Sequence, residues 1–195
     1  MNYFIKTILS ILIVALGFSN LQAQDPYLKE HIQNLKNGVL LVKLYTRNNV
    51  VDALKERGRD EEAQNIEREQ KFKNLAIANA FKNQYHFSPL VYFFYSDDSK
   101  KIMNKEFEDV LMDYNLQKFS STPPMSLIFY VAEFGNTEDM DINALVIKDH
   151  EFNELRKPFP YYVKTFEGWW IFKRTYNEVV MIWNEKLFQA DEKGL

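Results

Sequence analysis

Apolar residues in this chain form one long run, Ile8 to Phe18, interrupted by Ser10, and thereafter only short clusters. Two of these clusters, GVLLVKLYT (38–46) and SPLVYFFYS (88–96), are continuous and rich in branched and aromatic side chains, which predicts strands buried on both faces. Ahead of the first lies a short helix or extended arm from Asp25 to Lys36, ended by the turn pair Asn37-Gly38. Behind it, Asn48 or Asn49 is expected to cap a helix, VVDALKER, that Gly58 closes in a left-handed conformation. A second helix is predicted from Asp60 to Tyr85, with Ile77, Phe81 and Tyr85 on one face of its apolar half. Strand, long helix, strand is the order of a parallel crossover.

The remaining pattern changes to hairpins. VLMDYNLQKF (110–119) and VIKDHEFNEL (146–155) share one template: an apolar pair, an aspartate, two tolerant positions, a large apolar residue, two polar residues and another large apolar one. Each reads as a strand entering a tight turn at Asp113 or Asp149 and returning, a local solution used twice rather than a repeat architecture. Between them PPMSLIFYVAEFG supplies a strand, preceded by Pro123-Pro124 and ended by Gly135. KPFPYYVKTF is extended, and Glu167-Gly168 turns it into WWIFKR. Thr175 and Glu178 form a capping box that opens a final helix, whose Tyr176, Val180, Trp183 and Leu187 make one apolar stripe. The expected fold is α/β: one sandwich around a mixed sheet, with a long helical hairpin after the first strand and a C-terminal helix.

Composition adds a location. MNYFIKTILSILIVALGFSNLQA has one basic residue, Lys6, a short apolar run and a small residue at Ala23, the pattern of a secretory signal peptide cleaved to leave a 24–195 domain. The run is shorter than the ~20 residues a spanning helix needs, so the mature chain is expected to lack a membrane span and to be exported, periplasmic or secreted. Without the leader 23 basic residues face 27 acidic ones, a balance that disfavours nucleic acid as a partner. Cysteine is absent. That removes disulfides, thiol nucleophiles, C-x-x-C redox chemistry and the acylated cysteine of a lipoprotein anchor.

Two resemblances follow from quoted residues. LVYFFYSDDSKKIM, then TPPMSLIFYVAEFG and a terminal helix, resembles the thioredoxin fold, with a strand, a helix opening at its end and a proline directly before the next central strand. The resemblance implies that Pro124 takes the place of that family's cis proline. It also implies that the reactive cysteine positions fall near Asp98 and Lys101, so that the redox chemistry is lost. GVLLVKLYT, ALKERG, PLVYFFYS and KPFPYYVKT are similar to a group of exported Bacteroidota proteins, which implies export and a single domain and brings no activity.

Candidate chemistry concentrates where the two parallel strands end. Neighbouring strands bring Thr46, Arg47 and Asn48 beside Ser96, Asp97, Asp98 and Lys100, a cluster able to hold a cation through carboxylates or a phosphate through Arg47. The structural reading is that Asp97 or Asp98 caps the next helix. His31, His86 and His150 stand in separate segments without metal-ligand spacing, and no serine carries a nucleophile motif. Tyr161, Tyr162, Trp169, Trp170 and Phe172 make an aromatic group that alternation would split between two faces, a platform for a glycan or peptide if exposed. The leading expectation is a noncatalytic envelope protein without a cofactor, binding a small ligand or another envelope protein through Arg47, Asn48, Asp97, Asp98, Lys100, Trp169 and Trp170. The alternative is a hydrolase or metal-dependent enzyme built on Asp97 and Asp98.

Overall fold

The computed structural model describes residues 25–118, 128–166 and 173–194. The leader, Ser120, Ser121, Ser126, Pro123-Pro124, the Glu167-Gly168 turn, Trp169, Trp170 and Phe172 lie outside the described residues.

Helix α1 (Pro26–Asn37) begins where Asp25 accepts the Tyr27 amide at 2.9 Å and Pro26 supplies a preset backbone. It runs directly into β1 (Val39–Leu44) across Gly38. A Cβ at Gly38 would stand 2.4 Å from the Ile128 carbonyl oxygen and 2.5 Å from that of Asn34, so only glycine allows helix and sheet to approach this closely. Helices α2 (Asn48–Lys55) and α3 (Asp60–Gln84) form the expected hairpin, closed by Gly58 at φ +70°. β2 (Leu90–Tyr95) leads through a 3₁₀ turn (Ser96–Asp98) into the short α4 (Ser99–Met103). β3 (Phe129–Asn136), β4 (Asn143–Lys148), β5 (Tyr162–Lys164) and α5 (Tyr176–Gly194) complete the chain.

The five strands form one mixed sheet in the order β2-β1-β3-β4-β5. β1 is central and parallel to both β2 and β3, whereas β4 and β5 are antiparallel to the strand before them. Alternation then assigns two cores. Leu40, Val42, Leu44, Val91, Phe93, Tyr130, Ala132, Leu145, Ile147 and Val163 pack with side chains of α1, α3 and α5, including Phe81, Trp183 and Leu187. Val39, Leu41, Phe94, Phe129 and Val131 pack on the opposite face with Ile102 of α4 and with Phe107, Val110 and Leu111. The terminal stripe is core: Val180, Trp183 and Leu187 are fully buried, and half-buried Tyr176 packs edge-on against Phe134. Its capping box forms as expected, with the Thr175 amide donating to Glu178 at 2.7 Å and the Glu178 amide to Thr175 Oγ1 at 3.3 Å.

One strand differs from expectation. β2 is an edge strand, and Leu90, Tyr92 and Tyr95 are only half-buried. Its free edge is partly closed by Met112, which exchanges two backbone hydrogen bonds with Phe93 at 3.0 and 2.8 Å.

Met112 belongs to the first of the two matched segments, and the match holds in three dimensions. Each loop closes with an aspartate amide bonded to the carbonyl four residues on, Asp113 to Gln117 and Asp149 to Asn153, both at 2.9 Å. In each, one aspartate oxygen, Oδ1, accepts the amides two and four residues ahead, at 2.9 and 2.9 Å for Asp113 and at 2.9 and 3.0 Å for Asp149. In each, the large apolar residue three places on is left-handed, Leu116 at φ 60° and Phe152 at φ 68°. The flanks pair through single bridges, Met112 with Lys118 and Lys148 with Glu154, rather than through full ladders.

Candidate functional site

The register Leu44 with Tyr95 sets the ends of β1 and β2 side by side, so the residues that follow leave the sheet together. Thr46 Oγ1 donates to Asp97 at 2.8 Å, and Asn48 Nδ2 donates to the same carboxylate at 2.8 Å. Ser96 Oγ adds a longer bond to Asp97 at 3.3 Å and accepts the Thr46 amide at 3.4 Å. Asp97 thus binds the first strand's exit to the second's, using neutral donors only.

The capping roles expected here are not taken. Neither Asp97 nor Asp98 makes a side-chain capping bond; Asp98 pairs instead with Lys101 at 2.9 Å. Asn48 is the first residue of α2 rather than its cap, and the amides of Val50 and Val51 are satisfied by the Arg47 carbonyl. The reason is competition: a donor pair from the adjacent strand end reaches Asp97 before the orphan amides of a five-residue helix do.

Around this clamp opens a cleft of about 590 Å³, lined by Tyr45, Thr46, Arg47, Asn48, Asp97 and Asp98, with α3 contributing Glu67, Gln70, Lys71 and Asn74 and the Asp113 loop contributing Asn115 and Leu116. Asn74 is buried, donates to the Tyr45 carbonyl at 2.9 Å and accepts from Gln70 at 3.0 Å. Of the expected site residues, the structure brings together Arg47, Asn48, Asp97 and Asp98. Lys100 is exposed on α4 and does not line the cleft. No histidine lines it either. His31 bonds Tyr130 through Nδ1 at 2.8 Å, with burial holding its pKa down, and the His150 ring lies against Phe129. Among the described residues no group of three or more histidine, aspartate and glutamate side chains is placed to hold a metal ion.

Beneath the cleft lies a feature that sequence reasoning missed. Glu133, with a side chain only 8% exposed, pairs with Lys43 at 2.8 Å and with Lys148 at 3.1 Å, and Lys148 also reaches Glu138 at 3.1 Å. Tyr45, from the cleft wall, donates its hydroxyl to Glu133 at 3.0 Å. Burial and the adjacent carboxylate push the Tyr45 phenol far up. Burial opposes ionisation of Glu133, but the hydrogen bond from Lys43 and the charges of Lys43 and Lys148 hold its pKa below the usual value. The signal was present in the sequence: VLLVKL, YVAEFG and NALVIK each carry one charge inside an apolar strand, and the signs are complementary. Pairing required knowing that β1, β3 and β4 are neighbours.

Of the expected aromatic platform, Tyr161 is buried and Tyr162 half-buried, with ring centroids 4.8 Å apart. Among the described residues no helix is long and apolar enough to cross a membrane. Comparison of the chain with protein-family models, curated proteins and solved structures finds no match.

Proposed function

We propose that the mature chain is an exported, noncatalytic binding domain that takes a small, polar, uncharged ligand such as a neutral saccharide in the strand-end cleft. The observation that carries this reading is the state of Asp97. Its carboxylate is held by Thr46, Asn48 and Ser96, all neutral donors, which stiffens the cleft and supplies no general base or nucleophile activated by a neighbour. The walls combine the tyrosine rings of Tyr45 and Tyr95 with the amides of Asn48, Gln70, Asn74 and Asn115, and their charges are mixed in sign, Arg47 and Lys71 against Glu67, Asp97 and Asp98, a combination suited to ring stacking and hydroxyl recognition rather than to a ligand of one charge.

The test is an NMR titration of the isotope-labelled mature protein with cellobiose and maltotriose. The side-chain amide signals of Asn48 and Asn115 are expected to shift saturably, and Asn115→Ala to weaken binding at least fivefold while the fold is retained. Shifts confined to another surface, or none, would sink the reading. Hydrolysis of nitrophenyl esters or phosphates that disappears in Asp97→Ala, with melting raised by magnesium or calcium, would instead favour a hydrolase or metal-dependent enzyme.

A further inference from the structure

A second cavity, of about 640 Å³, opens between the Lys157–Lys164 segment and α5. Its floor is apolar: Phe159, Val163 and Ile182 line it. One wall is fixed from behind, because Trp183, fully buried, donates its indole N–H to the Pro160 carbonyl at 2.9 Å. Tyr161 and Tyr162 add ring surface.

Among the described residues, the charged side chains that line this cavity are of one sign. Lys157, Lys164, Arg174 and Lys186 line it, and no acidic side chain does so among the described residues. The chain as a whole carries 27 acidic and 24 basic residues, so four cations and no acid in one cavity are segregated against the average. Arg174 is already engaged, with Nη1 on the Lys164 carbonyl at 3.2 Å. The ammonium groups of Lys157, Lys164 and Lys186 make no ion pair or side-chain hydrogen bond among the described residues. Loss of water around the Lys186 ammonium, reinforced by the positive charge of Arg174, lowers its pKa. Arg174 also lines an adjoining cavity of about 540 Å³ whose other charged lining residues, Lys73 and Lys173, are again basic.

We propose that this cavity binds a ring-bearing organic anion, its acid group between Lys164 and Lys186 and its ring against Tyr162 and the apolar floor. Cations supply attraction and orientation, and the ring surface supplies the apolar part of the affinity that a bare ion would lack. An acidic sugar and an aromatic carboxylate share that chemistry. The site is separate from the strand-end cleft and stands or falls independently of it.

The experiment is calorimetric titration of the mature protein with digalacturonate and with 4-hydroxyphenylacetate. Their uncharged counterparts, galactobiose and 4-hydroxyphenylacetamide, and inorganic phosphate serve as comparisons. At least one acid is expected to bind tenfold or more tightly than its neutral counterpart and than phosphate, and whichever binds identifies the source of the ring. The Lys164→Gln/Lys186→Gln double variant should lose that preference, and Tyr162→Ala should weaken the acid but not phosphate. Should the double variant fail to fold, the single variants Lys164→Gln and Lys186→Gln, both at exposed positions, carry the same test with an expected loss of about threefold each. No binding by either acid, equal binding of the neutral compounds, phosphate binding as tightly as the acids, or full affinity in the charge variants would each overturn the proposal.

Discussion

Burial alone would push the Glu133 carboxyl toward its neutral form, yet Lys43 and Lys148 hold it ionised, and that contest makes the residue a pH-dependent part of the fold. Because the folded pKa lies below the unfolded value of 4.5, the stabilisation is complete above 4.5 and is lost as pH falls through the folded value. Lys148 has the opposite sense. Burial opposes its charge but Glu133 and Glu138 outweigh that, so its folded pKa is raised, and its contribution is complete below 10.5 and lost as pH climbs through the higher folded value. Replacing Glu133 by Gln leaves two lysines facing a neutral amide and should cost about 3 kcal/mol at pH 7. Urea melts at pH 7 and pH 3 check this: the difference between parent and variant should shrink markedly at pH 3, and an equal cost at both would refute the assigned cause. Asp97 shows the complementary lesson at this scale. Its neighbours in sequence suggested a cap, but its partners Thr46 and Asn48 lie 51 and 49 residues away, and no local rule could weigh them.

At the scale of elements, what depends on nearby residues was legible. The Thr175 capping box, the Gly58 closure and the turns at Asp113 and Asp149 formed as expected, because each is decided within about five residues, whereas the strands expected to flank those turns pair only through single bridges. The matched loops also reveal what their template selects. The aspartate satisfies two amides through one oxygen, and the left-handed residue is large and apolar because its side chain turns inward: Leu116 packs with the α1, α3 and α5 core, and Phe152 with the core on the opposite face. Asp113→Ala and Asp149→Ala should therefore destabilise by similar amounts, roughly 1–2 kcal/mol each. The asparagine variants should cost less than half as much, since Oδ1 remains to accept both amides. Denaturant melts of the four variants decide this, and a loss with asparagine equal to that with alanine would mean that the charge, not the loop geometry, carries the stabilisation. Pairing between distant elements was not legible. The position of β2 at the edge depends on β1 pairing with β3 as well, a choice made by the whole sheet.

For the whole molecule, the absence of cysteine leaves two apolar cores, one on each face of the sheet, to hold the fold without a covalent staple. If the chain is exported as proposed, the question of where the mature protein begins becomes structural as well as enzymatic. Asp25 caps α1 by accepting the Tyr27 amide, and α1 buries Ile32 and Leu35 in the larger core. Cleavage after Ala23, the small residue at the end of the leader, leaves Gln24 ahead of Asp25 and keeps that cap; cleavage after Asp25 would remove it at a cost of about 1 kcal/mol. The exported protein is therefore expected to start at Gln24. Intact mass of the product from the periplasm or medium tests this directly. A mass that includes Ile8 to Phe18 would make the leader a retained anchor and overturn export as a free domain, whereas a start beyond Asp25 would refute the link between the cut and the cap.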